Sequence, residues 1–91
     1  MATMKAAAIY PEILKRFSDF KKSRADEWNR YAFDVKEGHR YNDFLTRISW
    51  DLLHLCFNSV EICSWYEKYE IGDKHITTAV RKAYTEVFGN I

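Results

Sequence analysis

Glycine and proline are almost missing from this chain, at three and one in 91 residues. Low-complexity and loop-rich proteins carry many more of both, so the chain is neither. Cysteine is also scarce, with only Cys56 and Cys63. The two stand seven residues apart in one apolar run. On a helix that is about 10 Å along the axis, beyond the Cα separation of about 7 Å that a disulfide can span. Free thiols of this kind suit a reducing interior better than a secreted scaffold.

Charge of one sign is missing as well. Fourteen basic residues against thirteen acidic ones leave a net charge of +1. A chain that lives mainly on phosphate electrostatics is more lopsided than this. No apolar stretch approaches the about eighteen residues of a membrane span, and no leader peptide is visible at the start. The expectation is a cytoplasmic protein without a membrane partner.

Chemical motifs are absent too. There is no glycine-rich phosphate loop, no HExxH and no GxSxG. His54 with the two cysteines gives no zinc spacing, because a structural site needs four well-placed ligands. No metal, no cofactor and no enzymatic activity are expected.

What remains is apolar and aromatic. Hydrophobic residues make up 47% of the chain and aromatics 16%, which argues for a packed core against a disordered tail. The length suits one domain over 1–91, with residues 1–10 a disordered or short N-terminal segment ahead of the first helix. Such a domain buries only about 60% of its unfolded surface, so large aromatic side chains matter to it.

Pro11 suits a first helical turn, with Tyr10 before it extended. Ile13, Leu14, Phe17, Phe20, Trp28, Tyr31, Ala32 and Val35 then share one helical stripe, and Gly38 supplies a stop. The preserved phase favours one helix over 11–37, although Ser23 and Asp26 form an S-x-x-D capping pattern that would allow a break. His39 to Asp43 reads as a loop, with Asn42 as the N-cap of a second helix.

From Phe44 to Tyr69 runs the most apolar segment, about 39 Å long if helical. The expectation is one long central helix, apolar over most of its circumference and therefore contacted on more than one side. Its narrow polar stripe holds Arg47, Asp51, His54, Asn58, Glu61 and Lys68, with Trp65 at the centre, while both cysteines face the core. Gly72 ends it and Asp73 caps the next helix. There Ile76, Val80, Ala83, Tyr84 and Val87 line one face and Gly89 closes the end. The fold class is all-α, a small bundle of three or four helices.

Three groups compete for function. Arg47 and His54 share a helical face two turns apart, in the order R-x6-H. This spacing resembles the R-x(4–6)-H signature of HEPN ribonucleases, which are all-α and cut RNA without a metal. The resemblance implies His54 as general base and Arg47 as phosphate clamp. The same residues also read as a solvated face, with Arg47 and Asp51 an ordinary i,i+4 pair.

Lys15, Arg16, Lys21, Lys22 and Arg24 form a basic stretch with Phe17 and Phe20 interleaved. RNA or DNA binding is the alternative partner class it raises. On a helical wheel, however, these cations scatter around the helix while both phenylalanines stay on the core stripe.

The third group is aromatic. Trp65 on a polar stripe and Phe33 opposite the core stripe are large apolar groups placed to face solvent, and tryptophan, tyrosine and arginine dominate binding hot spots. The favoured reading is a non-enzymatic module that binds another protein through Trp28, Arg30, Phe33 and Trp65. It would act as a stoichiometric inhibitor of the immunity, antitoxin or phage anti-defence type, with self-association into a homo-oligomer as a related outcome.

Overall fold

A computed structural model describes residues 2–38 and 44–89. The expected loop at 39–43, with its Asn42 cap, lies outside the described residues. Four helices follow one another: α1 (Ala2–Gly38), α2 (Phe44–Cys56), α3 (Ser59–Lys68) and α4 (Asp73–Phe88). No strand occurs among the described residues, and the all-α expectation holds.

Helix α1 begins well before Pro11, which sits inside it instead of opening it. The N-terminal segment is therefore helical from Ala2, and Tyr10 is not extended. Burial explains the extension. Ile9, Ile13 and Phe17 are all fully enclosed, so the helix gains a further buried residue ahead of the proline.

The length of α1 would be a problem if it were straight. Its 37 residues would span about 55 Å, whereas the longest dimension of the molecule is 36 Å. A kink at Arg24, with φ −137° and ψ 27°, resolves this. Continuity over 11–37 thus holds only across a bend. Ser23 does not form the cap with Asp26 that the alternative of a break would use. Its hydroxyl instead donates back to the carbonyls of Asp19 and Phe20.

Beyond the kink, Trp28 docks onto α4. Its indole N–H donates to the Tyr84 hydroxyl at 2.9 Å. The rings of Phe20, Tyr31, Tyr84 and Phe88 lie within 6.5 Å of it, centroid to centroid. Phe17 meets Tyr84 edge-on from the near side of the kink. Burial raises the Tyr84 phenol above its ordinary value, with the Trp28 hydrogen bond opposing. The α1–α4 face is the most extensive in the bundle.

The expected central helix is not one helix. It breaks at Phe57 and Asn58, giving α2 and α3. Asn58 is extended (φ −83°, ψ 168°) and its side-chain oxygen accepts from the Glu61 N–H at 2.8 Å. Glu61 returns the contact, accepting from the Asn58 N–H at 3.1 Å. This reciprocal capping box starts a new helix with a new phase. Arg16 secures the end of α2, donating to the Cys56 carbonyl at 2.9 Å and to Glu61 at 3.2 Å while lying 4.6 Å from the Phe57 ring centre. A cation there both fills an orphan carbonyl and suits the negative end of α2.

The new phase corrects two placements. Trp65 is not on a solvent-facing stripe but 4% exposed, edge-on to Phe57 at 5.0 Å. Cys63 does not face the core but is exposed, and only Cys56 is half-buried.

Helix α3 ends at Lys68, earlier than expected. Glu70 takes a left-handed conformation (φ 53°), so the turn needs no glycine there. Gly72 serves α4 instead, as its N-cap, and its N–H donates to His75 Nδ1 at 3.1 Å. Asp73 is the first helical residue and not the cap. Ile76, Val80, Ala83 and Tyr84 are buried as expected, and Gly89 closes α4 with φ 81°. Every buried side-chain polar atom among the described residues has a partner, including Ser49, whose hydroxyl donates to the Leu45 carbonyl.

Candidate functional site

The kink in α1 does more than shorten the molecule. Where α1 bends past α2 it leaves an open groove of about 420 Å³, lined by Phe20, Arg24, Glu27, Trp28, Tyr31, Asp51, His54 and Leu55. Its floor is aromatic because Phe20 and Trp28 belong to the core stripe on either side of the bend. Its rim holds two of the largest exposed apolar groups, Tyr31 at 42% and Leu55 at 58% exposure.

The polar groups of the rim are paired. Arg24 reaches Glu27 at 3.1 Å and lies 5.0 Å from the Phe20 ring centre. Tyr31 donates to Asp51 Oδ2 at 2.9 Å, and the same carboxylate oxygen faces Arg47 Nε at 3.8 Å. Partial burial, then the hydrogen bond and charge of Asp51, raise the Tyr31 phenol above its ordinary value, with Arg47 opposing. The groove is thus a fixed surface with an apolar mouth.

This arrangement places the sequence candidates one by one. Of the four residues expected to meet a partner, Arg30 and Phe33 are exposed, Phe33 at 61%. Trp28 and Trp65 are buried at 2% and 4%. Trp28 nevertheless reaches the groove floor, whereas Trp65 belongs to the core alone. Tyr31 and Leu55 were missed as partner-facing residues. Tyr31 reads as core on the stripe, and Leu55 reads as one more apolar residue on an apolar helix. Both line the groove where α1 bends past α2.

Arg47 and His54 do share a face of α2, but Asp51 lies between them in sequence and holds Arg47. A phosphate seated between arginine and histidine would meet that carboxylate. His54 is exposed and leans on the Trp50 ring, 5.8 Å between centroids.

The basic stretch is largely spent within the molecule. Lys15 pairs with Asp19 at 3.4 Å and Arg16 staples α2 to α3. Lys21 donates to the Val87 carbonyl at 2.7 Å and lies 5.7 Å from the Phe88 ring centre, while Arg24 is bound to Glu27. Lys22 alone of the five has no such partner among the described residues.

Among the described residues no three His, Cys, Asp or Glu side chains converge as a metal site, and no helix is long and apolar enough to cross a membrane. Comparison of the chain with protein-family models, curated proteins and solved structures gives no match.

Proposed function

We propose that this four-helix bundle is a non-enzymatic module that works by binding another protein, as a stoichiometric inhibitor of the immunity, antitoxin or anti-defence kind. One observation carries the reading. Tyr31 and Leu55, both solvent-exposed, flank a groove with the aromatic floor Phe20 and Trp28. Apolar groups rimmed by paired polar ones are the anatomy of a binding patch, with an energetic centre and a solvated edge. The intramolecular pairing of Lys15, Arg16, Lys21 and Arg24 supports a protein partner over a nucleic acid. A phosphate ligand would first have to break those contacts.

The test is capture from the cells of origin with the wild type and with Leu55→Glu, alongside the mass of the free protein in solution. A surface change of this kind should leave stability within about 0.5 kcal/mol. The expected result is one partner retained by the wild type in a fixed ratio and at least tenfold depleted with Leu55→Glu. A strictly monomeric protein that retains nothing, or equal retention by both forms, would refute the reading.

A further inference from the structure

His54 also borders a second and larger groove, of about 600 Å³, between α2, α3 and the start of α4. Its lining is Trp50, His54, Ser59, Ile62, Cys63, Tyr66, Asp73 and Thr77. Its aromatic side chains are fixed by other lining residues: the Trp50 indole N–H donates to Thr77 Oγ1 at 2.9 Å, and the Tyr66 hydroxyl donates to Asp73 Oδ1. Two features make it unlike the groove at the kink, whose aromatic side chains are likewise held by hydrogen bonds. Its only formal charge is the Asp73 carboxylate, whose Oδ2 has no partner among the described residues. It contains no lysine or arginine.

The adjoining hollow shares Ser59 and Cys63 and adds a second carboxylate, Glu67, again without a cation. The contrast within the molecule is direct. A hollow between α2 and α4, lined by Leu45, Thr78, Arg81, Lys82, Thr85 and Glu86, holds two cations. A carboxylate beside aromatic rings with no lysine or arginine to pair it therefore marks the α3 side, whereas at the kink Glu27 and Asp51 face Arg24 and Arg47.

We propose that this groove seats the guanidinium of an arginine presented by the protein partner, between the aromatic side chains of Trp50 and Tyr66 and against the Asp73 carboxylate. The proposal rests on the protein-binding reading above and deepens it by naming the chemistry that the partner must offer. A cation near an aromatic face gains from the ring quadrupole, and more as water is excluded. Arginine fits better than lysine, because a planar guanidinium stacks on rings and forks onto a carboxylate at once. Tyr66 supports the seat. Partial burial, then the hydrogen bond and charge of Asp73 and the neighbouring Cys63, push its phenol up to about 12, so it stays neutral and goes on donating to Asp73.

The experiment uses the full chain labelled with ¹⁵N, read at the indole N–H signals of its three tryptophans. The probes are N-acetyl-arginine-N-methylamide, its citrulline counterpart, which has nearly the same shape without the charge, and its lysine counterpart. The Trp50 signal should shift saturably with the arginine probe, and at least tenfold more weakly with citrulline. Asp73→Asn keeps an acceptor for Tyr66 and should weaken the arginine probe about tenfold.

Equal response to citrulline, an unchanged affinity in Asp73→Asn, or equally tight binding of the lysine probe would overturn the proposal. Capture that depends on Leu55, with no arginine response at Trp50, would remove the arginine seat and leave the protein-binding reading standing. An arginine response without any captured protein would do the reverse.

Discussion

Trp28 and Trp65 are almost equally buried, yet the regions they close differ in kind. Around Trp28, four other rings and a hydrogen bond to Tyr84 join both sides of the α1 kink to the end of α4. Around Trp65, one ring contact with Phe57 is described, and α3 is otherwise tied by Ile62, the Arg16–Glu61 pair and the Tyr66–Asp73 hydrogen bond. The first region is closed several times over. The second is closed about once and borders the larger groove. A domain this small has little burial to spare, and here its aromatic ring contacts gather around Trp28.

The sharpest way to break this contrast is to remove each tryptophan in turn. Truncating a large buried aromatic to alanine costs about 3–5 kcal/mol. Trp28→Ala should fall in that range in urea unfolding, because it also strips Tyr84 of its partner. Trp65→Ala should open α3 selectively. Amide exchange would then rise over Ser59–Lys68 while the amides of Ile13–Phe17 and Val80–Tyr84 stay protected. If both variants lost protection everywhere at once, the two regions would be one cooperative unit and the contrast would fail.

A gentler cut separates α3 from α2 without touching the core. Asn58→Ala removes the side-chain half of the capping box and should cost about 1 kcal/mol. Asn58→Asp keeps an acceptor for the Glu61 N–H and should recover much of the loss. Urea midpoints of the three proteins decide it. An alanine variant as stable as the wild type would mean that Phe57 burial alone sets the break.

That break also shows where the sequence is readable and where it is not. Helical periodicity identified α4 and most of α1 residue by residue, because amphipathic stripes with glycine ends follow directly from 3.6-residue geometry. It misread 44–69. Asn58 and Glu61 carry the N-x-x-E capping pattern, but both lie on the expected polar stripe of a continuous helix and look like ordinary surface residues there. Once the phase is carried through Phe57 unbroken, Trp65 rotates to the outside and Cys63 to the inside, and both placements fail for one reason.

The kink at Arg24 is half legible: the S-x-x-D pattern at Ser23 allows a break beside it, but the preserved phase of the stripe favours continuity. Ser23 does not use that pattern in the fold, since its hydroxyl bonds back to Asp19 and Phe20. The groove that the bend opens could not be read. Phe33 could be placed outside from the stripe alone, whereas Tyr31 lies on the core stripe and Leu55 on an apolar helix, and both are exposed beside the groove.

The smallest expected effect distinguishes the two regions through their thiols. Cys56 is half-buried beneath Arg16, and its Sγ lies 4.0 Å from the Arg16 carbonyl oxygen. Burial pushes this thiol up to about 11 from an ordinary value near 9, with the charges of Arg16 and Arg24 opposing. Cys63 is exposed on α3 beside the groove. Iodoacetamide at pH 8 should therefore modify one site in the folded protein, with peptide mass mapping to Cys63, and reach Cys56 only when urea is added, since the thiolate is the reacting form.

The same shift fixes a direction for stability. A thiol whose value rises on folding favours the folded state fully below pH 9, and that contribution is lost as the pH passes from about 9 to about 11. Cys56→Ser should remove the part of the alkaline loss that begins near pH 9, leaving the part from about pH 10 upward that the raised phenols of Tyr31, Tyr66 and Tyr84 contribute. Rapid modification of both thiols in the folded protein would mean that the α2 end is no more closed than α3.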